Sequence, residues 1–123
     1  MRNRVQSHLV AAQALLPLLR PGPRSSYTIL TGGSGEALSR PDWALFSVVN
    51  AACYGLVVAL QAEVGDAGPR VNELRVYSVV RRDGDAEHPQ LPGLPSQPAS
   101  AVAAAALEIT AGAHRGVLKW KGP

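Results

Sequence analysis

Aromatic residues are scarce in this chain: two Trp, three Tyr and a single Phe, 5% of the sequence. A nucleic-acid surface of the stacking kind needs aromatics interleaved with a basic stripe, and neither is present. Lys and Arg number 12 against 9 Asp and Glu, a formal charge of +3, but they are scattered. The Arg81-Arg82 pair reads as solvated surface. Cysteine is nearly absent. Cys53 is alone, cannot form an internal disulfide, and sits in an apolar stretch where a free thiol behaves as a small hydrophobe. Metal-ligand spacing is lacking as well: His88 and His114 have no second ligand near them, so no metal site is expected. The basic start Met1-Arg2-Asn3-Arg4 is followed by Gln6-Ser7-His8 and no small-residue cleavage site, unlike a secretory signal. The longest apolar run, about residues 44–60, contains Ser47, Asn50 and Gly55 and reads as too polar for a membrane span. The expectation is a cytoplasmic protein that engages neither nucleic acid nor membrane.

What is present is mostly Ala, Val and Leu. Apolar residues make up 46% and charged residues 17% of 123 positions, enough for one globular domain over residues 1–123. Residues 5–19 read as a helix, with Leu9, Ala12, Leu16 and Leu19 recurring at helical spacing, and Pro21-Gly22-Pro23 stops it. Ser26 to Thr31 is β-branched and aromatic and runs into Gly32-Gly33, a buried strand before a loop. Pro41-Asp42 opens a second helix over residues 42–64, ended by Gly65 and Gly68. Its apolar residues, from Trp43 and Leu45 through Val58 and Leu60, leave little polar face. A helix of that kind is covered on two sides, and the second cover is expected from another subunit.

Arg70 to Val76 reads as a second strand that Val79-Val80 extends. Residues 82–98, rich in Pro, Gly, Asp and Gln, read as a long irregular segment of the functional kind. An Ala-rich helix over residues 100–111 and a strand over residues 116–120 follow. The order α-β-α-β-loop-α-β predicts an α/β fold with right-handed crossovers: about three parallel strands with three helices, the second half of a doubly wound, Rossmann-like sheet. Such a sheet leaves an open edge at its first strand. The organisation therefore looks like part of something larger.

The sequence words in this order resemble the second half of the short-chain dehydrogenase/reductase family. Ser7-His8-Leu9-Val10-Ala11-Ala12-Gln13-Ala14-Leu15-Leu16-Pro17 is similar to the family's helix before the catalytic strand. Thr28-Ile29-Leu30-Thr31-Gly32-Gly33-Ser34-Gly35 stands where the strand with the catalytic Ser ends. Asn50-Ala51-Ala52-Cys53-Tyr54-Gly55-Leu56 matches the segment that begins with the catalytic Lys, Ala59 to Glu63 follows in register, and Arg70-Val71-Asn72 leads into the next strand. The resemblance implies a chemistry in which a Tyr exchanges a proton with the substrate oxygen, a Lys one helical turn later lowers its pKa, and a Ser polarises the carbonyl. Aligned on Ala51-Ala52, the Tyr position is Phe46 and the Lys position is Asn50. The Ser position falls at Gly33, with Ser34 beside it. A helix Asn of the relay would fall near Arg4, with Asn3 adjacent. Pro-Gly beside the nicotinamide is replaced by Val76-Tyr77, and the glycine-rich turn for the pyrophosphate belongs to a first βα unit outside these words.

No intact catalytic set is therefore expected. Asn50, Val76 and Tyr77 remain candidates for cofactor contact. Tyr77 and Arg81, four apart but at a strand end, do not share a face. No cofactor is expected in the isolated chain, and NAD(P) only with a completing partner. Two readings follow. One is a degenerate, truncated dehydrogenase-like subunit that is structural or regulatory. In the family, helices like 5–19 and 42–64 pair across a two-fold axis, which implies a homodimer or a heterodimer with a short-chain dehydrogenase. The other is an enzyme: an oxidoreductase completed by a separate N-terminal half, or a non-redox catalyst acting on a small molecule.

Overall fold

A computed structural model describes residues 4–123. Helix α1 (Arg4–Leu15) tightens into a 3-10 turn at Leu16–Leu18, where Pro17 removes an amide donor. Strand β1 (Ser26–Gly32) follows. Helix α2 (Ala44–Val64) comes after a 3-10 turn at Pro41–Trp43, then strands β2 (Arg70–Val76), β3 (Val79–Arg81) and β4 (Ser96–Pro98), helix α3 (Ala99–Ala111) and strand β5 (Gly116–Trp120). Gly65, at φ 69°, ends α2 by donating its amide to Gln61 O, a left-handed position that suits glycine.

The main sheet has the order β1-β2-β5, all parallel. The α/β class and the three-strand parallel sheet expected from the alternation are what the chain has, a partial Rossmann-like arrangement. Two expectations are corrected. Val79-Val80 does not extend β2. It belongs to β3, which pairs in parallel with β4 as a separate two-stranded sheet. The segment over residues 82–98 is accordingly not irregular to its end, since β4 closes it.

β2 lies at the centre and is buried along its whole length. Successive side chains point to opposite faces, so Val71, Glu73 and Arg75 look towards α1 and α2, while Arg70, Asn72, Leu74 and Val76 look towards α3. One core joins Ala12, Ile29, Val57, Leu60 and Val71; the other joins Leu74, Val76, Val102, Ala105 and Ile109. The helix face of α2 away from the sheet is not polar. Leu45 and Val48 are 59% and 66% exposed there, beside exposed Ala52 and Gly55. The Ser, Asn and Gly in this helix do not lower its hydropathy as far as expected. Residues 41–64 are long and apolar enough to cross a membrane by length and composition, with mean hydropathy 1.9 in the most apolar window.

Arg70 fastens three remote pieces of chain on the α3 side. Its Nε donates to Pro23 O at 2.6 Å, Nη1 to Ile109 O at 2.9 Å and His114 O at 2.8 Å, and Nη2 to Thr110 O at 3.0 Å. A cation at the carbonyl end of α3 also offsets the helix dipole. Arg70→Ala is expected to lower stability by about 2–4 kcal/mol by leaving buried carbonyls unpaired, and Arg70→Lys to recover only part, because an ammonium cannot reach all four. Urea unfolding midpoints of the two variants measure this.

Candidate functional site

In open α/β sheets, ligands bind beyond the carboxyl ends of the strands. Here a cleft of about 470 Å³ opens at that end of β1 and β2. One wall is the turn after β1, with Gly32, Gly33 and Ser34; a second is Val76, Tyr77 and Ser78 after β2. Val79, Leu94 and Pro95, on and beside the small β3–β4 sheet, form a third, and Glu36, Ala37, Ser39 and Trp43 close the fourth.

The turn after β1 is held from behind by close packing on its glycines. A Cβ at Gly33 would come within 2.5 Å of the Tyr77 ring, and one at Gly35 within 2.7 Å of both the Ala51 amide and the Tyr54 ring. At Gly32 the obstacle is the Asn50 amide, at 3.1 Å. Asn50, 4% exposed, accepts the Gly32 N–H on Oδ1 at 2.9 Å and donates from Nδ2 to Ser34 Oγ at 2.9 Å. The Tyr54 hydroxyl donates to Gly32 O, and burial pushes that phenol above its ordinary pKa, which keeps it a donor.

A chain of alternating charge runs from under α2 to the cleft. Glu73, only 1% exposed, receives the Thr31 hydroxyl at 2.5 Å and Arg75 through Nε at 2.7 Å and Nη2 at 3.0 Å. This bidentate pairing makes burial of both charges tolerable. Arg75 reaches on to Glu36 and lies 3.5 Å from the centroid of the Tyr54 ring. Lys119 Nζ meets Glu36 Oε1 at 2.7 Å. Lys119 first, then Tyr77 and Arg75, hold the Glu36 carboxyl down at about 2. Tyr77 lies beside that carboxylate without closing a hydrogen bond of normal geometry.

The structure brings four expected positions together: Gly33, Ser34, Val76 and Tyr77 all line the cleft. Asn50 sits behind the turn with both ends of its amide taken. Phe46 is apart. It continues the α2 stripe of Asn50, Cys53 and Val57 by one turn, yet it is 43% exposed. Asn3 lies outside the described residues. Tyr77 stacks with Lys121, whose Nζ is 5.9 Å from the ring centroid. Among the described residues no group of His, Cys, Asp and Glu could hold a metal ion. Sequence reasoning misses Glu36 and Ser39, which carry no local motif, and reads Trp43 as core or interface filling, whereas it stands in the cleft wall. Glu73 and Arg75 did carry a signal, since charges inside a buried parallel strand imply a paired partner.

Chemically, the cleft offers stacking surface, serine hydroxyls and one carboxylate. That carboxylate is held ionised by its cations, so at neutral pH it is a poor base. Ser34 accepts from an amide, which cannot take its proton as a general base would.

Two expected outcomes follow. Gly33→Ala should cost about 1–3 kcal/mol through collision with the Tyr77 ring, and Tyr77→Ala in the same chain should remove most of that penalty; a double-mutant cycle from urea unfolding reads the coupling. The second concerns pH. The folded-state pKa of Glu36 lies below its ordinary 4.5, so its ion pairs stabilise the fold above that pH and are lost as pH falls through about 2. Unfolding midpoints should fall across this window, and Glu36→Gln should flatten the fall.

Comparison with family models, with curated proteins and with solved structures returns no match for this chain.

Proposed function

We propose that this chain is a degenerate relative of the short-chain dehydrogenase/reductases, without redox activity of its own, that serves as an associating or regulatory subunit. The observation that carries this reading is Asn50. At the position aligned with the family's Lys stands an uncharged amide, committed at Oδ1 to Gly32 and at Nδ2 to Ser34. One turn earlier Phe46 has no hydroxyl. A phenol near pKa 10 works as an acid near neutrality only beside a close positive charge, and these positions hold neither group. For association, the support is the apolar outer face of α2, where Leu45 and Val48 are exposed, together with the exposed Leu9 and Val10 on α1. Exposed apolar surface of this kind marks interaction sites, and burying it against a copy or a full-length relative covers the outer face of α2.

A second reading is favoured by the cleft at the strand ends and by the outer side of β1, which pairs with no strand among the described residues. It is an NAD(P)-dependent oxidoreductase completed by a separate N-terminal half, or a non-redox enzyme acting on a small molecule. Calorimetric titration with NADPH and NADH, of the chain alone and after mixing with candidate completing partners, separates the first reading from the rebuilt oxidoreductase. The first reading expects no binding heat and no turnover of carbonyl compounds; binding by the isolated chain, with turnover, would overturn it. It also expects a dimer or larger species in light scattering that Val48→Glu converts to monomer with an unchanged circular dichroism spectrum. A folded wild-type monomer at high concentration would remove the subunit reading.

A further inference from the structure

β1 is an edge strand, paired with β2 on one side only. In a parallel ladder the backbone groups of alternate residues point to opposite sides. The Arg70 amide donates to Ser25 O at 2.8 Å. With Ser26 opposite Arg70, that turns the groups of Tyr27, Ile29 and Thr31 towards β2. The amides and carbonyls of Ser26, Thr28, Leu30 and Gly32 therefore face the open edge. Such a row is a template for another strand.

Its carboxyl end is not bare. Arg4 Nη2 donates to Leu30 O at 3.2 Å, the Gly32 amide donates to Asn50 Oδ1 at 2.9 Å, and the Tyr54 hydroxyl donates to Gly32 O. Three outward backbone groups are thus taken by side chains from α1 and α2, while those of Ser26 and Thr28 carry no such cap among the described residues. Asn50 has a second attachment, to Ser34 in the cleft wall.

We infer that Arg4, Asn50 and Tyr54 form a side-chain cap that closes the carboxyl half of the β1 edge to strand addition, and that Asn50 couples the cap to the cleft. A strand pairing beyond Thr28 has to displace the Asn50 amide from Gly32. The same movement withdraws Nδ2 from Ser34 and leaves that hydroxyl free in the cleft wall. Edge pairing and the geometry of the cleft are then two readouts of one two-position element.

Residue-resolved amide hydrogen exchange tests the cap in the wild-type chain. The Gly32 amide, although on the outer edge, is expected to exchange about tenfold or more slowly than the outward amides of Thr28 and Leu30. Asn50→Ala should bring Gly32 up to the Thr28 rate while Ile29 and Thr31, paired with β2, keep their protection. With Tyr54→Phe and Arg4→Ala added, the uncapped edge should self-associate with rising concentration in light scattering. Both chains carry Val48→Glu, so association through the helices does not contribute. Equal exchange at Gly32 and Thr28 in the wild type overturns the cap. So does a folded Arg4→Ala, Asn50→Ala, Tyr54→Phe chain that stays monomeric at every concentration. If that chain fails to fold, the wild-type exchange pattern decides alone.

Discussion

Much of this molecule's working end depends on one buried carboxamide. Asn50 projects from α2 under the turn after β1 and satisfies an amide of Gly32 and a hydroxyl of Ser34 at once. A side chain with a donor and an acceptor at fixed separation can do this, whereas an ammonium, donor only, cannot receive the Gly32 N–H. The requirement propagates outward. The glycines of the turn must be bare so that Asn50, Tyr54 and Tyr77 can approach, and the turn so compressed becomes one wall of the cleft.

The central strand sets the other constraint. β2 is buried on both faces, yet it carries Arg70, Asn72, Glu73 and Arg75 in addition to its aliphatic residues. Each charge has an answer nearby. Glu73 and Arg75 answer one another on the α2 side, and Arg70 answers backbone carbonyls on the α3 side. Removing either member of the Glu73–Arg75 pair would strand the other in a poorly hydrated interior, so each charge is tolerated only with its partner in place. The charge chain then reaches the surface through Glu36 and Lys119, and Glu36 brings it to the cleft wall.

Much of the frame was legible in the sequence, because its signals are local. The β-branched run before Gly32-Gly33, the helix bounded by Pro41 and Gly65, and the Ala-rich helix before β5 each have periodicity and terminators of their own. The β3–β4 pairing was not legible. Each strand has three residues, and Val79 finds Ser96 only after a long excursion of chain, so neither has a hydrophobic period to read. At the site, Gly33, Ser34, Val76 and Tyr77 are singled out by the resemblance to the dehydrogenase family, and they do share one cleft. Trp43 and Glu36 are not, since their place in the wall follows from how the turn after β1 folds back. Phe46 shows the limit from another side: helix phase puts it on the stripe of Asn50 and Cys53, but phase cannot tell that little covers it there.

Arg70 has a further consequence for how the chain reaches its native state. The carbonyls it holds lie 39 to 47 residues away along the sequence, before and after it. The carboxyl end of α3 is therefore closed by a group that arrives only once the middle strand is in place beside the turn preceding β1. Each such contact requires closure of a long loop, with its entropy cost, before any hydrogen bond forms. The last helix accordingly depends on the sheet, through Arg70, for partners to its final carbonyls.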